Sequence, residues 1–275
     1  MFTHNPFAEL AASVPSGAIQ AFVIVMIILV IAGTLFDVIH KKSAQYFFEN
    51  MQREQENGRR KVSGGEMAGM AVKTLAVEVA TSAEFCNPNR RIAHLMTMWG
   101  FVAHVAGTVA MAIGGAEGGI WAMLWHLGAL SVAIGGFWFW FFIRADVSAE
   151  GQSPFRVMRA DLFVLSLLGT NTFALLWSWT QGSGMGWFFF ALYVISALVL
   201  FGGVPWSKFA HMFFKPAAAL QKRVTKADGS KENLPDLGEL NDPELQERYP
   251  DIPMYMGENP PNMGLGIKRE SPNHY

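Results

Sequence analysis

Charged residues are scarce in this chain of 275 residues, where they make up 16% of the sequence, against about 25% in a typical soluble protein. Apolar residues make up 51%. Several stretches contain no Lys, Arg, Asp or Glu, and each reaches the roughly 20 residues that a helix needs to cross a bilayer. These stretches are residues 17–36, 92–115, 119–143, 162–187 and 186–206. The pattern excludes a globular cytosolic enzyme and predicts an all-α, polytopic membrane protein with a bundle of five transmembrane helices.

Cysteine is nearly absent as well, since Cys86 is the only one in the sequence. One thiol cannot form an internal disulfide, and by itself it cannot hold an iron–sulfur cluster or a zinc site built from cysteines. The first apolar stretch also lacks the basic flank and the small-residue cleavage site of a secretory signal. We therefore expect residues 17–39 to form a first transmembrane helix that is retained.

Lys and Arg are missing from three short segments: residues 1–16, 114–119 and 181–186. All 21 of them lie elsewhere, with nine in residues 41–91, three in residues 144–159 and nine from residue 208 onward. Positively charged loops tend to stay on the cytoplasmic side of a membrane. The distribution therefore predicts five helices in a bacterial inner (cytoplasmic) membrane, with the N-terminal segment 1–16 in the periplasm and the C-terminus in the cytoplasm.

Two polar regions accompany the membrane domain, which is expected to span residues 17–220. In the cytoplasmic loop 41–91, residues 67–79 mix apolar runs with charges, a pattern typical of an amphipathic helix that lies on the membrane or under a partner protein. The tail, residues 222–275, holds seven of the 13 prolines and ten of the 22 acidic residues. Such a segment does not fold alone. We expect it to be a docking arm for a cytoplasmic partner, the alternative being a solvated extension.

Four of the seven histidines lie in or at the predicted helices, where an ionisable side chain points to function. Neutral imidazole is the usual axial ligand of haem iron, and a b-type haem in a membrane takes two such ligands on facing helices. His94 and His211 both lie at the cytoplasmic face. His104 is about 15 Å deeper, at a level that His126 of the third helix also reaches. The histidines predict one haem b, or two, with a hydrogen-bonded interhelical histidine as the alternative at each position.

Basic and small residues surround these candidate ligands. Arg90, Arg91 and Lys208 are candidates for contacts with haem propionates at the cytoplasmic surface, although ordinary positive-inside charge explains them equally well. Glycines recur every seven residues on the second and third helices: Gly100, Gly107, Gly128 and Gly135. This spacing favours close packing of helices through small residues over a gap for a porphyrin.

A quinone site is expected in the outer half of the membrane, beside the second haem. Tyr193 is the candidate for a hydrogen bond to the quinone, with simple packing as its alternative role. Glu117 is the only acidic residue in the predicted outer loops after the first helix, which makes it a candidate proton acceptor. A quinone site at the cytoplasmic face, near Lys208, is the alternative location.

The spacing of the histidines resembles that of the nitrate reductase gamma-subunit family. Two histidines stand ten residues apart on the second helix, in HLMTMWGFVAH (residues 94–104), and another marks the exit of the fifth helix. Over residues 17–220, the stretches NPNRRIAHLMTMWGFVAH and PWSKFAHMFFKPAAAL look more like one branch of this family. That branch includes the membrane subunits of heterodisulfide reductase-type and quinone-interacting complexes of sulfur metabolism. The resemblance implies that the chain binds b haem and passes electrons between a membrane quinone and a cytoplasmic redox partner.

The resemblance also implies roles for individual residues. His94 and His211 match the family's ligands of the haem nearer the cytoplasm, and His104 matches the helix-two ligand of a second haem. Tyr193 stands where the other ligand of that haem would be, so either His126 substitutes or the second haem is absent. The chain lacks the iron–sulfur domain that is fused to some branch members. In this it is similar to the membrane anchors of adenylylsulfate reductase, which is therefore the implied partner.

The implied function is that of a non-catalytic redox subunit, which links a quinone pool to a cytoplasmic oxidoreductase. A haem-free membrane anchor that only recruits the partner enzyme is the alternative. A transporter or ion channel is disfavoured, because the sequence lacks the paired intramembrane acids and the broken-helix repeats of transporters.

Overall fold

The computed structural model describes residues 2–83, 85, 87–146, 151–207, 209, 211–230 and 243–248, and within them the chain forms helices and no strand. The helices are α1 (Pro6–Leu10), α2 (Ser16–Lys41), α3 (Ser43–Glu56), α4 (Gly64–Thr74), α5 (Pro88–Ala112), α6 (Ile120–Trp138), α7 (Leu162–Trp179), α8 (Gly184–Gly202), α9 (His211–Asp228) and α10 (Pro243–Arg248). The π-helical turns Leu75–Val79 and Phe139–Ile143 continue α4 and α6. The 3₁₀ turns Arg159–Asp161 and Val204–Trp206 precede α7 and follow α8.

Among the described residues, five segments of 19 to 25 residues are long and apolar enough to cross a membrane. They are Ser16–His40, Pro88–Ala112, Ile120–Ile143, Arg159–Trp179 and Gly184–Gly202. Large apolar side chains face away from the protein, and Ile28, Ile31 and Leu35 of α2 are each more than half exposed. A continuous apolar surface of this kind requires lipid rather than water around it. The all-α, five-helix, multi-pass fold is confirmed, while the direction in which it crosses the membrane stays a prediction from the charges.

Glycines let α5 and α6 pack as a tight antiparallel pair. A Cβ atom placed on Gly128 would lie 2.5 Å from the carbonyl oxygen of Gly100, and one placed on Gly100 would lie 2.7 Å from that of Gly128. A Cβ atom on Gly107 would lie 2.7 Å from the carbonyl oxygen of Trp121. The two backbones are therefore in direct contact over several turns. This confirms that the seven-residue glycine spacing serves helix packing, and it leaves no gap for a porphyrin between these helices.

The end of the bundle at which α2 begins is closed by the N-terminal cap, residues 2–10. The backbone amide of Gly119 donates to the carbonyl oxygen of Thr3 at 3.0 Å. The Asn5 side chain reaches the same loop, donating from Nδ2 to the carbonyl oxygen of Ala116 at 2.9 Å. Phe7 is 6% exposed, and its ring meets the ring of Trp177 edge to face, with 5.6 Å between centroids. The cap is thus fixed to the loop between α5 and α6 and to the end of α7.

Asn5 carries out two tasks in this cap, so its replacement by Ala is expected to lower stability. Its Oδ1 accepts hydrogen bonds from the amides of Phe7 (2.9 Å) and Ala8 (3.3 Å) at the start of α1. Losing a helix N-cap typically costs about 1 kcal/mol. We expect Asn5→Ala to lower the thermal midpoint of the purified protein, whereas Ser13→Ala at an exposed position should leave it unchanged. Equal midpoints for the two variants would contradict this role of Asn5.

The opposite end of the bundle, here called the α9 end, gathers α3, α4 and α9. The backbone amide of Arg59 donates to the carbonyl oxygen of Asp228 at 2.8 Å. Gln221 Nε2 donates to Glu54 Oε2 at 2.7 Å. A further ion pair ties Arg223 of α9 to Glu78 in the π-helical turn after α4. These contacts hold the polar helices against one another at one end of the bundle.

The described part of the polar tail begins inside this packed region. The boundary expected at residue 222 falls within α9, where Val224 is 1% and Thr225 is 2% exposed. The reason is that α9 is amphipathic, so its few apolar side chains suffice to bury one face against α3 and α4. Residues 222–230 therefore belong with the helical bundle. Of the remainder only α10 is described, and the expected docking segment near the C-terminus lies outside the described residues.

Candidate cofactor site

His94 lies on α5, close to the α9 end of the bundle. The helix begins at Pro88, a residue that suits the first helical position because no N–H is needed there. Asn87 caps it, with Oδ1 accepting from the amides of Asn89 (3.0 Å) and Arg90 (3.1 Å). These start signals place His94 in the second turn of α5.

A cavity of about 480 Å³ adjoins His94. It is bordered by α5, the π-helical turn after α4, the start of α7 and the first turns of α9. Its apolar lining consists of Leu75, Val79, Ala80, Met98, Trp99, Phe101, Val102, Phe163, Leu167, Met212, Pro216 and Ala219, and its polar lining of Glu78, Ser82, His94, Thr97 and Lys215. Ligand sites are typically about 300–1,000 Å³, mostly apolar, with a few polar groups. This cavity has both properties.

The imidazole of His94 is held from two sides. Its Nδ1 lies 3.0 Å from the hydroxyl oxygen of Ser82. The ring of Phe85 packs against it with 4.9 Å between centroids. Two cations reach the same phenyl ring, because the Arg90 guanidinium lies 5.8 Å and the Lys215 ammonium 5.4 Å from its centroid. One histidine, a large apolar cavity and two nearby cations fit the requirements of a haem with two anionic propionates.

The basic residues expected at this site have different surroundings. Arg90 lies over the ring of Phe85, which in turn packs against His94. Arg91 instead donates from Nε to the carbonyl oxygen of Thr81 at 2.8 Å and so fastens the segment before α5. Lys208 lies outside the described residues. Lys215, which lines the cavity, was not a candidate from the sequence, although its position one helical turn after His211 is the signal that could have found it.

His211 is the first residue of α9, and Met212 beside it lines the cavity. The side chain of His211 lies outside the described part of the chain. The helix therefore starts in the right region for a second axial ligand, and the pairing of His94 with His211 stays a prediction.

His104 and His126 are both buried in the bundle. His104 is 3% exposed, and its Nδ1 lies 3.0 Å from the carbonyl oxygen of Trp125. Within the described part of the chain, its Nε2 has no hydrogen-bond partner. His126 is fully buried, with Nδ1 2.7 Å from the carbonyl oxygen of Ala122 and Nε2 2.8 Å from the hydroxyl of Ser178. Each therefore has a hydrogen bond of the kind expected for an interhelical histidine.

The packing around these two histidines argues against a second haem between them. The indole of Trp125 is fully buried and touches both imidazoles, with ring centroids 4.8 Å from His104 and 4.7 Å from His126. The close glycine contacts between α5 and α6 lie one turn on either side of His104, so the helices cannot separate locally. The two histidines do share a level in the bundle, as expected. They do not face each other across a space in which a porphyrin could lie.

The two residues expected to contact quinone in the outer half of the membrane, Tyr193 and Glu117, lie in different surroundings. Tyr193 is 6% exposed, and its ring stacks on that of Trp177 with 5.6 Å between centroids. Glu117 is exposed in the loop between α5 and α6. Tyr193 therefore has the packing role that was its alternative.

His4, which also lies in this region, was not among the site residues predicted from the sequence. His4 in the N-terminal cap packs against His126, with 5.3 Å between ring centroids, and its Nε2 lies 3.3 Å from the hydroxyl of Ser178. It lies outside the long helices, where no periodicity marks it. Among the described residues, no group of three or more His, Cys, Asp or Glu side chains could hold a metal ion. Because a haem iron takes only two ligands from the protein, the absence of such a group among the described residues bears on metal ions bound by side chains alone and not on haem.

Comparisons with protein-family models, with curated proteins and with solved structures find no match for this chain. The resemblance to nitrate reductase gamma subunits therefore stays a prediction that rests on the spacing of the histidines.

Proposed function

We propose that the protein is the membrane-embedded electron-transfer subunit of a quinone-linked oxidoreductase complex, with one b-type haem held by His94 and His211. The observation that carries this proposal is the cavity of about 480 Å³ beside His94, between α5 and the first turns of α9. Bound there, a haem would supply one-electron transfer between donors and acceptors on different sides of the protein.

The residues around the cavity have distinct tasks in this proposal. Phe101, Leu167 and Met212 line it with apolar groups that exclude water and lower the local dielectric, which is one of the means by which a protein tunes a redox centre. Arg90 and Lys215 offer positive charge to the propionates, since cations near carboxylates form strong charge-assisted hydrogen bonds. The predicted Arg91 contact is not needed, because that side chain is engaged by the backbone.

The lipid-facing wall of the cavity suits a lipid-soluble redox partner. Trp99 and Val102 line the cavity, yet 51% of Trp99 and 46% of Val102 remain exposed on the apolar surface of the bundle. A quinone dissolved in the bilayer can therefore approach the haem site closely from the side. We place the quinone contact here rather than at Tyr193, whose ring is packed inside the bundle.

The α9 end of the bundle is the side from which a soluble partner would approach. It carries α3, α4 and α9, whose Lys and Arg residues predict a cytoplasmic location in a bacterial inner membrane. A cytoplasmic redox enzyme, for which adenylylsulfate reductase is the candidate from the resemblance, would dock on these helices and on the tail. The distance from such a partner to the cavity is short, because the π-helical turn after α4 forms part of the cavity wall.

The haem content of the purified, full-length protein tests this proposal. We expect a reduced-minus-oxidised absorption spectrum of a low-spin b haem, with a stoichiometry of one haem per chain. A stoichiometry of two would contradict the packing argument at His104 and His126. A protein without haem, purified from cells that supply haem to other cytochromes, would overturn the proposal.

A haem-free anchor is the second candidate, and the hydrogen bonds of His104 and His126 favour it. Both ring nitrogens of His126 and Nδ1 of His104 have hydrogen-bond partners inside the bundle without any cofactor, so His126 needs no haem to explain its burial. In that case the α9 end would only recruit a soluble enzyme. Co-purification of a redox enzyme with a haem-free membrane subunit would establish this second function.

A further inference from the structure

Ser82 has a backbone conformation that non-glycine residues rarely adopt. It lies between the π-helical turn after α4 and the start of α5, and its φ angle is 48°. Serine is seldom found in this left-handed region. The residue is also 1% exposed. Such strain persists only where the surroundings hold the residue in place, and it is concentrated at functional sites.

The neighbouring residues provide that hold. The amide of Ala83 donates to the carbonyl oxygen of Val77 at 3.2 Å, and the amide of Phe85 donates to that of Ser82 at 3.2 Å. The carbonyl oxygen of Thr81 accepts from Arg91 Nε. The segment is therefore fastened both to the π-helical turn and to α5. Its rigid course brings the Ser82 hydroxyl to 3.0 Å from Nδ1 of His94.

We propose that Ser82 is the positioning residue for His94 as an axial haem ligand, an inference that rests on the proposed function. A histidine that ligates iron through Nε2 must carry its proton on Nδ1, and that N–H must find an acceptor. The hydroxyl oxygen of Ser82 is this acceptor. The hydrogen bond fixes the ring orientation and the tautomer, and it increases the electron donation of the imidazole to the metal. A more strongly donating ligand favours the oxidised iron and so lowers the midpoint potential.

Two substitutions in the full-length protein separate the hydrogen bond from the backbone strain. Ser82→Ala removes the hydroxyl and keeps a side chain at positive φ, whereas Ser82→Gly removes the hydroxyl and also relieves the strain. Thr81→Ala is the matched control, because Thr81 lies next to Ser82 and its hydroxyl donates to the carbonyl oxygen of Val77 in the local turn. The readouts are the haem midpoint potential, the low-spin g values in electron paramagnetic resonance, and the affinity for added haem.

We expect both Ser82 variants to shift the midpoint potential in the positive direction by similar amounts and to alter the g values. Their haem affinity should fall by about 10- to 100-fold, as is usual when a hydrogen-bonding partner of a metal ligand is lost. Thr81→Ala should match the wild type in all three. An unchanged potential and unchanged g values in fully loaded Ser82→Gly would overturn the role of Ser82 while leaving the haem itself in place. A shift in Ser82→Gly that is absent from Ser82→Ala would assign the effect to the relief of strain and would also overturn it. A wild-type protein that carries no haem would remove the proposed function and this inference together.

Discussion

His94→Ala is expected to abolish the low-spin haem spectrum of the protein. A low-spin b haem requires two strong-field axial ligands, here the imidazoles of His94 and His211, and the methyl group of alanine cannot replace one of them. We expect the same loss for His211→Ala, because the ligands act as a pair. The measurement is the reduced-minus-oxidised spectrum of each purified variant, combined with haem quantitation.

His40→Ala is the control for this experiment. His40 lies near the end of α2, is exposed, and stacks on Phe36 with 5.2 Å between ring centroids. Its removal tests whether any histidine at the edge of the membrane affects the haem, and we expect no change. A normal low-spin spectrum in His94→Ala would disprove the ligand assignment, whatever the result for His40.

Gly128→Ala is expected to destabilise the bundle by about 1–3 kcal/mol, the usual cost of forcing extra atoms into a packed interior. The added Cβ atom would lie 2.5 Å from the carbonyl oxygen of Gly100 and 2.6 Å from the backbone nitrogen of His104. Neither backbone atom can move aside without the shift of a whole helix. The thermal midpoint of the purified protein measures the effect.

A second glycine in a helix supplies the matched control. Gly69 lies inside α4, and a Cβ atom placed on it would have no atom within 4 Å. The same Gly→Ala change there is expected to raise stability slightly, since Ala favours a helix over Gly by about 1 kcal/mol. Opposite signs at the two positions would demonstrate the close contact of α5 and α6. A Gly128→Ala variant as stable as Gly69→Ala would contradict it.

The sequence was sufficient to predict the five membrane-spanning helices, because each is a long apolar segment with few or no charged residues. The 3.6-residue repeat and the rise per residue then order the histidines along the bundle axis, which is why His104 and His126 lie at a common level as expected. The position of a histidine along the bundle axis does not determine, however, how its helix is rotated and which neighbours its side chain meets. The contact of the Trp125 indole with both imidazoles depends on how α5 and α6 turn toward each other, and that depends on glycine contacts across the pair.

The surroundings of His94 were harder to foresee. Ser82 is twelve residues before His94, separated from it by a left-handed residue and a helix start, and no periodic pattern connects positions across such a turn. Lys215 reaches Phe85 from a different helix. The sequence also predicted the start of the polar tail at residue 222, which lies inside α9. The many charged residues of α9 mask the apolar stripe that places Val224 in the packed region. Contacts that join distant segments are decided by tertiary packing.

The N-terminal cap has a consequence for the order in which the molecule is assembled. Residues 2–10 are synthesised before all the groups that hold them. These groups are Ala116 and Gly119, then Trp177, and then Gln181, whose Nε2 donates to the carbonyl oxygen of Pro6 at 2.8 Å. The cap therefore cannot make its full set of contacts until α7 has been synthesised and inserted. Closure of the cap therefore requires four spanning helices, and a nascent chain halted before α7 would lack the contacts of the cap with Trp177 and Gln181.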